Sequence, residues 1–551
     1  MFVESKTISL LAPEIILMLG ATILFLLGAF RAGRGQLVAT LIAYAGAAVA
    51  LAWYGSPWNA ESTLSGPLVI DPMSLGLRWT ALLAGIVFTL AGSRRDVELA
   101  AEFQGTLMLV ICGLMLASSA NELVLLFLGL ELISIPTYVL LFLGRRDRAS
   151  AEATMKYFYL SLLASALLLY GFAFLYGIAG TTVIVGSGET RGIREAFLSQ
   201  GATGSALTMG GTGSALTASA GPSSLFSLAP IALVLITAGF GFKLAAAPFQ
   251  FYAPDVYQGT TNANAGVLAV IPKLAGVAGF LRLALLVIPG TEAAEKAFAW
   301  QLPLVLAVLT MTIGNVCALW QKDIRRLLAY SSIAHGGYLL IGLAVGAASM
   351  SLGSHQAAGG AGGMLFYVLV YALATMGSFC TLAHLGSPRR ELSGVEELAG
   401  LARHQPLAAA ALAIFMFSLT GIPPLAGFWG KLTLFGSAIQ LSTANQTSNT
   451  SLSLWFVGLA VVAALNAAIG AAYYLRIIGV MYFQSPGTPA PASGGKLALA
   501  GGVLCALLVI GSGLFPAQIV GLSLRAEQKL VEQVPAPQKV NAANAPLALG
   551  H

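Results

Sequence analysis

The 551-residue sequence predicts an all-α protein that crosses a membrane about fourteen times, and its composition carries this prediction. Hydrophobic residues make up 57% of the chain and charged residues only 9%, against roughly 25% charged residues in ordinary globular proteins. The mean hydropathy is +0.83. So few charges cannot coat a water-facing surface of this size. The solvent around most of the chain is therefore expected to be lipid.

A membrane-spanning helix needs about 20 mostly apolar residues, and this criterion gives fourteen candidate spans. In chain order, helices 1 to 14 are residues 8–30, 37–54, 73–92, 103–120, 122–143, 156–179, 228–249, 262–288, 301–320, 325–347, 363–386, 405–440, 453–482 and 496–520. The first span is too long for a signal peptide and lacks a basic stretch before it. Each span is therefore predicted to be a membrane helix.

The basic residues of the short loops predict the orientation. Loops after odd-numbered helices contain Arg31, Arg34, Arg94, Arg95, Arg145, Arg146, Arg148, Lys322, Arg325, Arg326, Arg389, Arg390, Arg403 and Lys496. The short segments on the opposite side contain only Lys6 and Lys296. Because Lys and Arg are enriched in cytoplasmic loops, the odd-numbered loops are predicted to face the cytoplasm, and both termini the other side.

Two segments differ from the spans. Residues 186–227 are rich in Gly, Ser, Thr and Ala, which predicts a flexible loop between helices 6 and 7. Residues 522–551 form a polar tail rich in Pro and Ala, which is expected to be poorly ordered.

A weak long-range similarity predicts an internal repeat. Residues 121–138 align with 321–338 without gaps, and the dipeptides that follow, Phe158-Tyr159 with Phe366-Tyr367 and Leu281-Arg282 with Leu475-Arg476, keep the same order. The spacing implies two five-helix units, helices 4–8 and 9–13. An odd number of helices per unit makes the second inverted relative to the first. The predicted division is 1–100 with helices 1–3, 101–290 and 291–485 with the two repeats, and 486–551 with helix 14 and the tail.

Prolines predict that helices 7 and 12 are broken inside the membrane. Helix 7 runs into a segment containing Pro248 and Pro254, and helix 12 contains Pro423 and Pro424. Proline removes a backbone donor and clashes with the preceding turn. The freed polar groups are tolerated only beside protein or a water-filled cavity. Because the two breaks occupy corresponding places in the proposed units, they indicate a transport path.

Five ionisable residues are predicted at mid-membrane depth: Glu131, Lys243, Lys273, His335 and Lys431. A charge at the bilayer centre costs roughly 2.5–3.5 kcal/mol, so these side chains must face the protein interior. Burial disfavours the charged form of a lysine and a nearby carboxylate favours it, so a Glu–Lys coupling can load and release a proton. Two structural alternatives remain open: Glu131 and Lys243 as a static pair, and His335 as a hydrogen-bonded interior histidine.

Other charged residues are weaker candidates. Lys156 and Arg476 lie near helix ends, where their heads can reach the membrane surface. Glu14 and Arg78 are expected at the interface, without a role.

The sequence carries no signal for a redox cofactor. Its cysteines, Cys112, Cys317, Cys380 and Cys505, each lie in an apolar run without a Cys-x-x-Cys pair, so neither an iron–sulfur cluster nor a zinc site is indicated. No Gly-x-Gly-x-x-Gly motif lies between a strand and a helix, and no basic stripe with exposed aromatics indicates nucleic-acid binding. A sodium site would need clustered carboxylates and carbonyls, so the residue types favour proton transfer.

Three longer motifs carry a family resemblance. They are Asp323-Ile-Arg-Arg-Leu-Leu-Ala-Tyr-Ser-Ser-Ile-Ala-His335, Pro254-Asp-Val-Tyr-Gln-Gly259 and Gly421-Ile-Pro-Pro-Leu-Ala-Gly-Phe-Trp-Gly-Lys431. With these motifs the chain resembles the antiporter-like membrane subunits of complex I, NADH-quinone oxidoreductase, from about residue 8 to 520. The Pro-Asp-Val-Tyr-Gln form, the segment after Lys273 and the lysine of helix 12 favour the N type over the M and L types. Residues 260–264 and the loop 186–227 depart from the family pattern.

The resemblance implies a fold, a function and partners. The fold would be fourteen helices with two inverted repeats. Glu131, Lys243, Lys273 and Lys431 would match the family's relay residues, and Lys156 a family lysine at the start of helix 6. The chain would translocate protons in a bacterial inner (plasma) membrane. NADH, FMN, iron–sulfur clusters and quinone would belong to partner subunits, among them the antiporter-like subunit M and the small subunits K, J and A. A subunit of a multi-subunit cation/proton antiporter and a hydrogenase-linked membrane subunit remain alternatives.

Overall fold

The computed structural model describes residues 5–30, 35–53, 62–93, 97–145, 147–186, 191–197, 228–283, 293–352, 359–386, 392–485 and 495–532. Within these residues, thirteen helices are long and apolar enough to cross a membrane. The predicted helix 12 adds two shorter helical pieces separated by a break. The prediction of an all-α protein with about fourteen membrane helices is confirmed.

The membrane helices are numbered as they were predicted, with the letters a and b for the two pieces of a broken helix. They are α1 Ala12–Ala29, α2 Gln36–Trp53, α3 Pro72–Ala91, α4 Val97–Ser119, α5 Leu123–Phe142, α6 Arg148–Ala179, α7a Ala229–Leu244, α7b Tyr252–Gly259, α8 Asn262–Leu283, α9 Ala293–Leu319, α10 Ile324–Ser351, α11 Gly360–Leu385, α12a Pro406–Thr420, α12b Ala426–Ala444, α13 Thr450–Phe483 and α14 Lys496–Leu514. A further helix, α15, is Pro516–Glu532. Short helical turns lie at Ser5–Leu10, Phe249–Phe251, Val395–Leu398 and Leu401–His404.

Several helices begin earlier than predicted. α4 begins at Val97, α6 at Arg148 and α9 at Ala293, rather than at residues 103, 156 and 301. The added turns contain charged residues such as Glu152, which an apolar window leaves out. Lys156 therefore lies inside α6 and not at its first turn.

The prediction of a poorly ordered tail from residue 522 is wrong for residues 522–532, because these residues belong to the helix α15. Its buried residues Ser523, Ala526, Glu527 and Leu530 recur at helical spacing and form one face. A mean hydropathy averages this buried face with the polar face of the helix, so it does not detect α15. The rest of the predicted tail lies outside the described residues, as does most of the predicted loop 186–227.

One small sheet was not predicted. β1 Thr63–Ser65 pairs antiparallel with β2 Leu68–Ile70, with Thr63 opposite Ile70, and Gly66 takes a left-handed conformation (φ 55°) in the turn. The hairpin leads into α3, and Leu68 bridges to Ala120 at the end of α4. It belongs to a cap of extended backbone at one end of the bundle.

The core of the bundle is formed by α8, α10 and α11. α8 is buried along its whole length, and α10 and α11 along nearly all of theirs, whereas α1 and α2 leave most of their residues exposed. α11 packs against α8, α10, both pieces of α12 and α14. Three of the predicted relay residues lie on α8, α10 and α12b, around this centre. The two inverted repeats and the domain limits stay predictions.

Candidate functional site

Four of the five predicted relay residues are buried in the bundle. Lys243, Lys273, His335 and Lys431 are between 1% and 7% exposed. Glu131 is only half-buried, on a face of α5 that also exposes Leu128 and Ile135. A charge in lipid is costly, which predicts that these side chains face the protein interior. This prediction is confirmed for the three lysines and the histidine.

Helix 7 breaks directly after Lys243. α7a ends at Leu244 because Ala245 takes a left-handed conformation (φ 55°), and Pro248 follows. The carbonyl oxygen of Phe242, at the end of α7a, accepts hydrogen bonds from the Ala245 amide and from the Tyr252 hydroxyl, both at 3.0 Å. The break predicted from the prolines is present.

Lys243 contacts the helix of Glu131 through a serine. Its Nζ donates to Ser134 Oγ at 2.5 Å, one turn along α5 from Glu131. The Glu131 carboxylate accepts a hydrogen bond from Ser165 on α6. Glu131 and Lys243 are not among the ion pairs of the described residues. A static Glu131–Lys243 ion pair is therefore absent from this conformation.

Lys273 lies where α8, α10 and α11 meet. Its Nζ donates to the backbone carbonyl of Ser332 on α10 and lies 5.0 Å from the centroid of the Tyr371 ring on α11. Gly336 lies beside Lys273 and permits the close approach of α7a, because a Cβ at that position would lie 2.6 Å from the Leu244 carbonyl oxygen. The end of α7a thus packs onto α10 beside Lys273.

His335 is held at both ring nitrogens. Its Nδ1 lies 2.6 Å from the Tyr367 hydroxyl on α11, and its Nε2 lies 2.9 Å from the Tyr474 hydroxyl on α13. The Tyr371 ring centroid is 5.0 Å from that of His335, and the Tyr371 hydroxyl donates to Ser332 Oγ at 2.8 Å. Tyr371 therefore contacts the surroundings of both Lys273 and His335.

Lys431 caps the broken end of helix 12. α12a ends at Thr420 because Gly421 takes a left-handed conformation (φ 91°) before Pro423 and Pro424. The Lys431 Nζ donates to the carbonyls of Leu419 at 3.0 Å and Thr420 at 2.8 Å. These carbonyls have no partner inside their own helix and form its negative end. The ammonium also lies 5.1 Å from the ring centroid of Tyr338 on α10.

The structure thus gathers Lys273, His335 and Lys431 around four buried tyrosines. This tyrosine cluster consists of Tyr338, Tyr367, Tyr371 and Tyr474. Lys243 lies next to α8, since a Cβ at Gly276 would be 3.3 Å from the Lys243 Cβ. Sequence reasoning missed the tyrosines. Their depth was a usable signal, because a buried tyrosine hydroxyl usually needs a hydrogen-bond partner.

Lys156 lies apart from the row of buried lysines. Its Nζ is 2.8 Å from Asp255 on α7b and 2.8 Å from Glu152, and its side chain is 40% exposed. Asp255 also pairs with Arg326 of α10 at 2.7 Å. This half-exposed ion cluster joins α6, α7b and α10 at the end of the bundle predicted to be cytoplasmic. Asp255 was not singled out from the sequence.

Glu14 and Arg78, which were expected at the interface without a role, are both buried within the protein, and their membrane depth stays a prediction. They form a buried ion pair with N–O distances of 2.9 and 2.6 Å, and Arg78 also donates to the Leu10 carbonyl. Asp71 and Arg282 form a second buried pair with distances of 2.7 and 3.0 Å. The position of a charged residue in the sequence did not reveal that a partner from a distant part of the chain neutralises it.

Among the residues that the structure describes, no group of three or more His, Cys, Asp or Glu side chains is placed to hold a metal ion. Cys112, Cys380 and Cys505 are buried, Cys317 is half-buried, and all four are free thiols.

The sequence of this chain is similar to those of known proteins. The profile of the family described as "NADH:quinone oxidoreductase/Mrp antiporter, TM" matches residues 120–456. NADH-quinone oxidoreductase subunit N of Rhodospirillum rubrum is 35% identical over 88% of this chain and 89% of its own length. The subunit N of Trichlorobacter lovleyi is 34% identical over 96% of this chain and 98% of its own length.

The chain belongs to the NADH-quinone oxidoreductase subunit N family.

A chain in the structure of respiratory complex I from Thermus thermophilus with bound aureothin is similar to this one. It is 31% identical, with a TM-score of 0.69 over 92% of this chain and 98% of that chain. The family match covers Glu131, Lys156, Lys243, Lys273, His335 and Lys431. The predicted relay residues therefore lie within the part of the chain that the family profile matches, whereas Tyr474 of the tyrosine cluster lies beyond it.

Proposed function

We propose that this chain is the subunit N type of proton-translocating membrane subunit in a bacterial NADH-quinone oxidoreductase. It would couple electron transfer from NADH to quinone, carried out in partner subunits, to proton movement across the inner membrane. As a subunit of a translocase it takes part in an enzyme without holding a redox centre itself. The observation that carries this proposal is the buried group of Lys273, His335 and Lys431 around the tyrosine cluster.

Each residue of the relay has a proposed role. Glu131 is half-buried, so a group outside the bundle can interact with its charge. Glu131 acts on Lys243 through Ser134, which lies on the same helix, α5. Lys273 is the central carrier, and His335 lies between it and the break in helix 12. Lys431 passes the proton to or from the far side. Lys156 belongs to the ion cluster with Asp255 and has a weaker claim.

We infer the remaining assignments from the family resemblance, from the loop charges and from the internal similarity of the sequence. The partners are other subunits of complex I, including the antiporter-like subunit M and the small subunits K, J and A. These partners supply FMN, iron–sulfur clusters and the sites for NADH and quinone. The loops after odd-numbered helices face the cytoplasm, and both termini the opposite side. Helices 4–8 and 9–13 form two inverted units with one broken helix each.

The test is proton pumping measured beside quinone reduction in the purified, reconstituted complex. Purification in mild detergent should bring along subunits with flavin and iron–sulfur absorbance. Lys273→Ala and Lys431→Ala remove a proton carrier, so each should lower pumping and coupled quinone reduction about 10-fold or more at normal assembly. Lys431→Arg should impair pumping as well, because a guanidinium with a pKa above about 12 cannot release its proton.

The matched control is Lys322→Ala, which removes an exposed lysine from the loop after α9 and should leave both rates unchanged. Full pumping in both lysine-to-alanine variants would show that the buried charges are structural. Recovery of the chain without any redox subunit would instead favour a multi-subunit cation/proton antiporter or a hydrogenase-linked complex.

A further inference from the structure

The two hydrogen bonds of His335 come from groups that can reverse them. Tyr367 lies at Nδ1 and Tyr474 at Nε2, with distances of 2.6 and 2.9 Å. A tyrosine hydroxyl can donate or accept a hydrogen bond, whereas a carbonyl or a carboxylate can only accept. A carbonyl at either nitrogen would hold the imidazole proton there and fix one tautomer. The tyrosines impose no such choice.

The number of protons on the His335 ring determines the direction of its two hydrogen bonds. A neutral imidazole has one N–H, so one tyrosine donates to the ring and the other accepts from it. Moving the N–H to the other nitrogen reverses both hydrogen bonds without displacing a heavy atom. An imidazolium would donate to both oxygens from the same position. All three proton states of His335 therefore fit one ring orientation.

A neighbour of Tyr474 completes both arrangements on that side of the ring. The Tyr474 hydroxyl also hydrogen-bonds to Ser331 on α10, and either oxygen can be the donor. When Tyr474 accepts from His335 it can donate to Ser331, and when it donates to His335 it can accept from Ser331. On the other side, the Tyr367 ring packs beside Gly430, the residue before Lys431.

The ring itself has little room to swing. His335 is 3% exposed, and the Tyr371 and Tyr367 rings lie at centroid distances of 5.0 and 5.7 Å, with interplanar angles of 38° and 27°. The two hydroxyls come from α11 and α13 and contact different nitrogens of the ring. A proton carrier that relied on ring rotation would have to break both hydrogen bonds.

We propose that Tyr367 and Tyr474 are positioning residues that make His335 a tautomeric proton switch. His335 takes up one proton at one nitrogen, becomes an imidazolium and releases one proton from the other nitrogen. The ring ends neutral in the opposite tautomer, and the flanking hydroxyls rotate to match. The switch rests on the proposed function, in which His335 lies between Lys273 and Lys431.

The experiment measures proton pumping and quinone reduction in the reconstituted complex carrying Tyr367→Phe or Tyr474→Phe. Each change deletes one hydroxyl and keeps the ring. A nitrogen without its reversible partner stabilises one proton state over the others, so each variant should lower the pumping rate ~2–10-fold. In a His335→Gln background the same two changes should have no further effect, because coupled residues are not additive.

Tyr44→Phe is the matched control, because it removes a buried tyrosine hydroxyl on α2, outside the tyrosine cluster. It should leave the pumping rate unchanged. An equal loss in Tyr44→Phe, or a loss that persists in the His335→Gln background, would overturn the switch and assign the tyrosines a packing role. Slow pumping in His335→Gln with full pumping in both tyrosine variants would refute the switch alone. Full pumping in His335→Gln would refute the place of His335 in the relay.

Discussion

Cations are kept inside this bundle in two different ways. Arg78 and Arg282 each pair with a buried carboxylate through two hydrogen bonds, and a guanidinium stays charged. Lys273 and Lys431 instead contact backbone carbonyls and the faces of tyrosine rings. A lysine that loses its proton beside a carboxylate leaves a buried anion uncompensated, whereas one beside carbonyls leaves only neutral groups. The arginine pairs therefore suit a fixed charge, and the lysine sites suit a proton that comes and goes.

The Glu14–Arg78 pair gives a stability prediction. Arg78→Leu leaves the Glu14 carboxylate buried and unpaired, which should destabilise the chain by about 3–5 kcal/mol. The double change Glu14→Leu with Arg78→Leu removes both charges and should recover most of that loss. Thermal unfolding of the purified complex and the amount assembled in membranes would measure the effect. A double variant as unstable as Arg78→Leu would contradict this account of the pair.

At the scale of the helix, one end of α11 depends on a distant carboxylate. The first turn of α11 is rich in glycine, and the Glu527 carboxylate of α15 accepts a hydrogen bond from the Gly362 amide at 3.0 Å. A negative group at a helix N-terminus satisfies free amides and interacts favourably with the dipole. A Cβ at Gly362 would lie 2.9 Å from this oxygen, so a larger residue would displace α15. Because α11 carries Tyr367 and Tyr371, α15 supports the helix that lines the candidate site.

The docking of α15 should depend on pH. Burial raises the pKa of Glu527 above its ordinary value, while the amides at the start of α11 oppose the rise. A carboxyl whose pKa is raised in the docked state binds protons more tightly there, so docking is expected to strengthen as the pH falls through that raised pKa. Hydrogen exchange of α15 and of the first turn of α11, followed from neutral to mildly acidic pH, would show it as increasing protection.

Glu527→Gln serves as the matched variant, because its amide oxygen still accepts from Gly362 but carries no charge. It should keep α15 docked and remove the pH dependence. Glu527→Ala should loosen α15 at every pH, with a loss of about 0.5–2 kcal/mol, as for other lost caps. Unchanged pH dependence in Glu527→Gln would assign the effect to another group.

At the scale of the whole molecule, the two breaks lie against the same central helices. The end of α7a packs onto α10 beside Lys273, and the break in helix 12 is capped by Lys431 next to Tyr338 of α10. Free carbonyls and amides inside a membrane must be satisfied by protein or water. Here Lys431 satisfies two carbonyls at the break in helix 12, and the Thr310 hydroxyl accepts a hydrogen bond from the Ala247 amide at the break in helix 7. The polar backbone and the ionisable side chains therefore stabilise one another in one region.

Orientation can be tested at two exposed loop positions. Glu396 lies in the loop after α11, and Ser448 in the loop after α12. Glu396→Cys should react with a membrane-impermeant maleimide only from the cytoplasmic side, and Ser448→Cys only from the opposite side, because basic residues favour the cytoplasm. The parent chain, whose cysteines are buried or half-buried, gives the background. Reversed labelling at both positions would invert the proposed topology.

Prediction from the sequence succeeded where the signal is local. Apolar runs located the membrane helices, and prolines located both breaks, because length, hydropathy and backbone chemistry act within one segment. The same reasoning picked out Lys243, Lys273, His335 and Lys431 as interior residues. It failed for α15, because averaging the hydropathy over the helix hides its apolar face. It also failed for the hairpin before α3, because the two strands are too short to give a recognisable pattern.

The sequence by itself thus determined that the chain is a bundle of about fourteen apolar helices, where two helices break and which charges must avoid lipid. Only the tertiary structure decided the partners of those charges: Arg78 with Glu14, Lys431 with the carbonyls of α12a, and His335 with tyrosines of α11 and α13. The physical reason is range. Hydropathy and proline act within one segment, whereas a hydrogen bond needs two groups about 3 Å apart, and helix packing brings those groups together from distant parts of the chain.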